Sequence, residues 1–152
     1  MRERWGAVGI ATAAMFGFNA VARLIVWQAS LVQDEEQILA GLLASIAAAL
    51  LAAVAGVRWA YRYPMSRVVA DLGLAIIVAS LLAVVVGPYL GGSRPLVEGV
   101  GFAVRQFLFY GGVMAFGAML GVLGTVTLGK DWKSRGWRLH EQRIRRGPRR
   151  VP

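Results

Sequence analysis

Long apolar runs separated by short polar stretches dominate the chain. Four runs, at about residues 5–27, 38–57, 68–87 and 100–128, reach the length that a bilayer-spanning helix needs, which is about 20 residues. Stretches such as residues 46–53 lack the alternation of apolar and polar positions that a membrane-spanning β-strand requires. The pattern therefore predicts an all-α protein, a four-helix transmembrane bundle with up-down topology.

Short polar connections link these spans. An acidic segment at 33–37 follows the first span, an arginine- and tyrosine-rich segment around Pro64 follows the second, and a turn-rich segment at 88–95 follows the third. After residue 128 the composition changes, because residues 129–152 hold nine Lys or Arg and two acids, a net of +7 out of the chain's +9. We therefore expect a membrane domain over 1–128 and a basic cytoplasmic tail over 129–152.

The composition agrees with a membrane protein and excludes several kinds of chemistry. Hydrophobic residues make up 57% of the chain and charged residues 16%, against about 45–50% and 25% in soluble domains. The chain has no cysteine and a single histidine, His140 in the tail, so cysteine nucleophiles, histidine metal sites and histidine-based triads are excluded. We expect no enzyme activity and no cofactor.

The distribution of Lys and Arg predicts the orientation. Arginines at 2–4 and 58–67 and the tail fall on one side of the predicted membrane, so the positive-inside rule places both termini in the cytoplasm. Arginine outnumbers lysine by 15 to 2, which is typical of GC-rich prokaryotic genes and favours a prokaryotic cell membrane.

Anionic lipid headgroups are the expected partners of the tail, and nucleic acid is the less favoured partner. Trp132, Trp137, Leu139 and Ile144 do not gather on one face of a helical wheel, which argues against an amphipathic interfacial helix over the whole tail.

One alternative concerns the first 22 residues. A basic start, an apolar segment and an Ala-x-Ala pattern ending at Ala22 are also typical of a cleaved signal peptide. The apolar run continues through Trp27 and completes a full span, which favours a retained first helix.

Small residues recur at helical spacing and predict close helix packing. The candidate packing residues are Ala44, Ala48 and Ala52 in the second span and Gly117, Gly121 and Thr125 in the fourth. Packing within the bundle is the simpler explanation, and a homodimer or a larger membrane complex is the alternative.

Polar residues inside the spans are few. Thr12, Asn19 and Arg23 share one face of the first span, and Arg105 lies near the start of the fourth. The two arginines either reach the headgroups, or pair with loop acids at 34–36 and 98, or line an outward-facing vestibule that attracts anions.

Asp71 is expected in the first turn of the third helix, where a negative charge suits the helix dipole and where Arg67 lies four residues earlier.

These observations favour a non-enzymatic accessory or scaffold subunit that packs against other membrane helices. The alternative is a small oligomeric transporter or channel for an ion or small solute, with the Thr12, Asn19, Arg23 and Arg105 stripe as its site. Transporter sites usually contain paired ionisable groups or broken helices near the membrane midplane, and the sequence shows neither feature.

Overall fold

The computed structural model describes residues 2–29, 34–94, 96–97 and 99–145, and its regular elements there are all α-helices. Four of them have the length and apolar composition to cross a bilayer. This confirms the prediction of an all-helical protein with four candidate membrane helices. The elements are α1 (Arg2–Gln28), α2 (Asp34–Arg62), α3 (Met65–Val85), α4 (Gly87–Leu90), α5 (Val100–Thr127) and α6 (Trp132–Arg145).

The connection between α2 and α3 is shorter than the sequence suggests. Helix α2 continues to Arg62 and α3 begins at Met65, so only Tyr63 and Pro64 separate them. Pro64 has φ −63° and ψ 149° and lacks an amide hydrogen, which ends α2 and starts α3. Because α3 begins this early, Asp71 is its seventh residue, and the expectation that Asp71 lies in the first turn is wrong.

The third apolar run is interrupted near its end. Helix α3 stops at Val85, and a single turn, α4, follows from Gly87, with Pro88 in its first positions. Pro88 has no amide hydrogen to donate to the preceding turn, so the regular helix cannot continue through it. Val86, predicted to lie inside the span, instead forms the break, and Gly87, the predicted end of the span, begins α4.

A glycine ends the fourth span, and the tail forms a further helix. Gly129 has φ +60°, the left-handed conformation that commonly follows a helix end. Asp131 then caps α6, since its carboxylate accepts hydrogen bonds from the backbone amides of Lys133 and Ser134 at 3.1 and 3.4 Å. The tail is thus helical over Trp132–Arg145, although its apolar residues do not share one face.

Two clusters of contacts define the ends of the bundle. At the tail end, Arg4 of α1 meets Asp71 of α3, and Arg135 of α6 stacks 4.0 Å above the ring of Tyr61 at the end of α2. At the loop end, Arg23 of α1 meets Gly87 of α4. Both clusters join residues far apart in sequence, so each holds several helix ends together.

The closest helix contact is between α2 and α5. A Cβ atom added to Gly117 would overlap the carbonyl oxygen of Ala49, and one added to Gly121 would overlap that of Ala53. On the other helix, a Cβ atom on Gly56 would lie 2.6 Å from the carbonyl oxygen of Ala118. Glycine at these positions lets the two backbones touch, which is how helices associate in lipid.

The outer surface of the bundle is apolar. Large side chains such as Ile10, Leu50 and Val54 are 73%, 63% and 67% exposed, while small residues such as Ala52, Ala75 and Ala79 fill the core. A soluble protein rarely exposes so many large apolar side chains. Large apolar side chains on the surface and small residues in the core are the pattern that a lipid environment requires.

Candidate functional site

A polar cavity, here called the vestibule, opens at the loop end between α1, α2 and α5. Its volume is about 570 Å³, within the range of about 300–1,000 Å³ that is usual for small-molecule sites. Its apolar lining residues include Val26, Trp27 and Phe102. The polar lining residues are Asn19, Arg23, Gln37, Ser93, Gln106 and Tyr110.

Arg23 is held in a fixed position in this vestibule. Its Nε donates to Oδ1 of Asn19, one turn earlier on α1, at 3.1 Å. Asn19 is itself buried, and a Cβ atom on Gly87 would lie 2.8 Å from the same Nε. The absence of a side chain at Gly87 therefore leaves the space that the half-buried guanidinium occupies. Both Nη groups of Arg23 lack a hydrogen-bond partner among the described residues.

Arg23 also borders a second, smaller cavity of about 190 Å³. Arg94 lines this cavity as well, together with Gln106 and Ser93. Among the described residues, neither cavity has a carboxylate in its lining. Two arginines and several uncharged hydrogen-bonding side chains therefore line these cavities, which gives an anion direct charged partners there.

The vestibule does not continue as an aqueous path through the described part of the bundle. Below Asn19 the remaining space is about 10 Å³, enclosed by residues such as Met15, Ala48 and Met114. A cavity needs about 10–15 Å³ to hold one water molecule. Deeper still, Thr12 is buried and its hydroxyl donates to the carbonyl oxygen of Val8 at 2.9 Å, so it offers no donor to a solute.

The structure brings together only part of the predicted polar stripe. Asn19 and Arg23 meet, whereas Thr12 lies deeper in the core. Arg105 is exposed and lines neither cavity, and the adjacent Gln106 lines both.

Among the described side chains, no predicted acidic partner pairs with Arg23. Glu35 and Glu36 are exposed and form no ion pair with Arg23. Glu98 and the side chain of Asp34 lie outside the described residues.

Every predicted packing residue lies in the interior of the bundle. Gly117 and Gly121 face α2, and the hydroxyl of Thr125 donates to the carbonyl oxygen of Gly121 at 2.9 Å. The alanines on α2 are also buried. They are Ala44, Ala48 and Ala52. A homodimer through Gly117 and Gly121 is therefore incompatible with this packing, because α2 already occupies that face.

A further cavity, here called the α3–α5 groove, lies on the outer surface of the bundle. Its volume is about 360 Å³, and its lining is almost entirely apolar. Gly73 of α3 and Gly111 and Gly112 of α5 leave it open. The hydroxyl of Ser80 borders it, is completely buried, and has no hydrogen-bond partner among the described residues.

The described residues contain no group of three or more His, Asp or Glu side chains that could hold a metal ion. No protein-family model matches the chain, and comparison with curated proteins and with solved structures gives no match. The function is therefore inferred from the vestibule and the α3–α5 groove.

Proposed function

We propose that this protein is a non-enzymatic accessory or scaffold subunit of a prokaryotic cell membrane, whose α3–α5 groove receives a transmembrane helix of another membrane protein. The observation that carries the proposal is the apolar, glycine-lined groove between α3 and α5 on the outer surface of the bundle. In lipid, glycines permit the close backbone approach through which helices associate.

The groove is shaped for a helix rather than for a polar solute. A Cβ atom on Gly111 would lie 3.4 Å from Oγ of Ser80, while one on Gly73 or Gly112 would meet nothing within 4 Å. Side chains of a neighbouring helix fit into the space that these glycines leave open.

A further lipid-facing surface on α1 supports docking. Gly9 and Ala13 are exposed, and a Cβ atom on Gly9 or Gly17 would meet nothing within 4 Å. The small-residue faces of α2 and α5 pack inside the bundle, whereas Gly9 and Gly17 of α1 leave space that no other described helix fills. The closed space below Asn19 favours this role over transport through a single chain.

The proposal includes an orientation. Up-down helices with both termini in the cytoplasm place the arginine-rich tail end on the inner face, in agreement with the positive-inside rule. Helix α6 then lies beside anionic lipid headgroups, which attract its Lys and Arg side chains. Reporter fusions after Pro152 and within residues 33–37 test this, and an external C-terminus contradicts it.

Filling the groove tests the docking role. A Cβ atom on Gly112 would have no other atom within 4 Å, so Gly112→Leu should fold. Its side chain should block the groove. Gly124→Leu is the matched control, since Gly124 is also exposed on α5 and unobstructed but lies outside the groove. Native electrophoresis of mildly solubilised membranes should show a complex with a second polypeptide that only Gly112→Leu dissociates. A chain that migrates alone in wild type contradicts the proposal.

A further inference from the structure

We propose that the vestibule binds the phosphate group of an amphiphilic lipid, with Arg23 as its principal ligand. The vestibule and the α3–α5 groove lie in different parts of the bundle, so this inference is independent of the docking role.

The Arg23 guanidinium is oriented by the chain but only partly hydrogen-bonded by its described residues. Asn19 orients it through Nε, and the two Nη groups have no partner among the described residues. A guanidinium is always charged, and its planar fork matches the oxygens of a phosphate. A half-buried charge at a helix end is stabilised when an anion completes its hydrogen bonds.

The lining of the vestibule combines polar and apolar side chains. Gln106 and Tyr110 add uncharged hydrogen-bonding groups, and Arg94 lines the smaller cavity together with Arg23. Val26, Ile38 and Phe102 contribute apolar surface to the vestibule. A free inorganic anion would use only the polar half, whereas an amphiphile with a phosphate would use both.

The vestibule lies at the ends of α1 and α5, beside Trp27, which is 62% exposed. Tryptophan favours the level of the lipid headgroups. Phosphate is the common oxyanion at that level, which places the vestibule where a lipid phosphate is available.

Native mass spectrometry of the full-length chain in detergent, with a short-chain phosphatidylglycerol as the probe, tests the proposal. One bound lipid per chain is expected. Arg23→Gln should weaken its binding by about tenfold to hundredfold, the usual range for a charged hydrogen-bond partner. Arg105→Gln is the control, because Arg105 is an exposed arginine on α5 that lines neither cavity.

A second variant covers a folding defect in Arg23→Gln. Gly41 lines the vestibule and has no atom within 4 Å of an added Cβ, so Gly41→Leu should block the cavity and leave Arg23 intact. Gly17→Leu, equally unobstructed and outside the vestibule, is its control. Loss of the lipid in Gly41→Leu but not in Gly17→Leu supports the proposal, and retention in both variants contradicts it.

Three results would overturn the inference. Equal displacement of the probe by inorganic phosphate and by lipid would show a free-anion site. Loss of binding only on replacing Lys133, Arg135 and Arg138 by glutamine would place the lipid on α6. Binding that appears only in Glu98→Gln would show that a carboxylate of the chain fills the site.

Discussion

Arg4 and Asp71 are 67 positions apart and form an ion pair at the tail end of the bundle. Nε of Arg4 donates to Oδ1 of Asp71 at 2.9 Å, and Nη2 donates to the same oxygen. Arg67 donates to the other carboxylate oxygen at 3.3 Å and stacks 3.8 Å above the ring of Tyr63. Asp71 therefore ties the start of α1 to α3, and its carboxylate is almost fully buried.

Removing the partner on α1 should destabilise the bundle. Arg4→Gln leaves a buried carboxylate with Arg67 alone, and we expect a loss of about 1–3 kcal/mol, as for other buried groups deprived of a partner. The measurement is thermal unfolding in detergent. Arg62→Gln, which removes an exposed arginine at the same end, should leave the unfolding temperature nearly unchanged. Equal effects would mean that the ion pair adds nothing.

Packing between α2 and α5 gives a second prediction. Gly121→Leu inserts a side chain against the backbone of Ala53, and overpacking of this kind typically costs about 1–3 kcal/mol. A Cβ atom on Gly124 of the same helix would meet no atom within 4 Å, so Gly124→Leu should be tolerated. Thermal unfolding of the two variants distinguishes them, and a stable Gly121→Leu would refute the close contact.

The four candidate membrane helices could be predicted from the sequence because each span is a local apolar run, whereas α4 and α6 were not predicted. The partners of Asp71 and Arg23 could not all be found in this way. Arg67 and Asn19 are one helical turn from them and were predictable, whereas Arg4 and Gly87 approach only when α1 packs against α3 and α4. Gln106 was overlooked as a lining residue for a similar reason, since helix rotation decides whether position 105 or 106 faces inward.

The break between α3 and α4 gives a third prediction. A Cβ atom on Gly87 would lie 2.8 Å from Nε of Arg23 and 3.2 Å from Oδ1 of Asn19. Gly87→Ala should therefore displace the guanidinium from the vestibule while all charges remain. Lipid binding should weaken as it does in Arg23→Gln, with a smaller loss of thermal stability than in Gly121→Leu. Unchanged binding would mean that the position of Arg23 does not matter.

The cap of α6 gives a fourth prediction. The side chain and backbone amide of Ser134 hold the pKa of Asp131 below its usual value, so the carboxylate caps the helix at neutral pH and weakens only as the pH falls through that lowered pKa. Asp131→Ala should speed amide hydrogen exchange over residues 132–145, whereas Asp131→Asn keeps an acceptor and should preserve more protection. Equal protection in wild type and Asp131→Ala would contradict this.

Docking of a partner helix in the α3–α5 groove is the central claim, and photo-crosslinking in native membranes tests it most directly. A photoreactive amino acid at position 112 lies in the groove, and one at 124 lies on the same helix outside it. We expect an adduct with a different membrane polypeptide from position 112 and much less from position 124. Adducts with lipid alone, or with a second copy of this chain, would contradict the account.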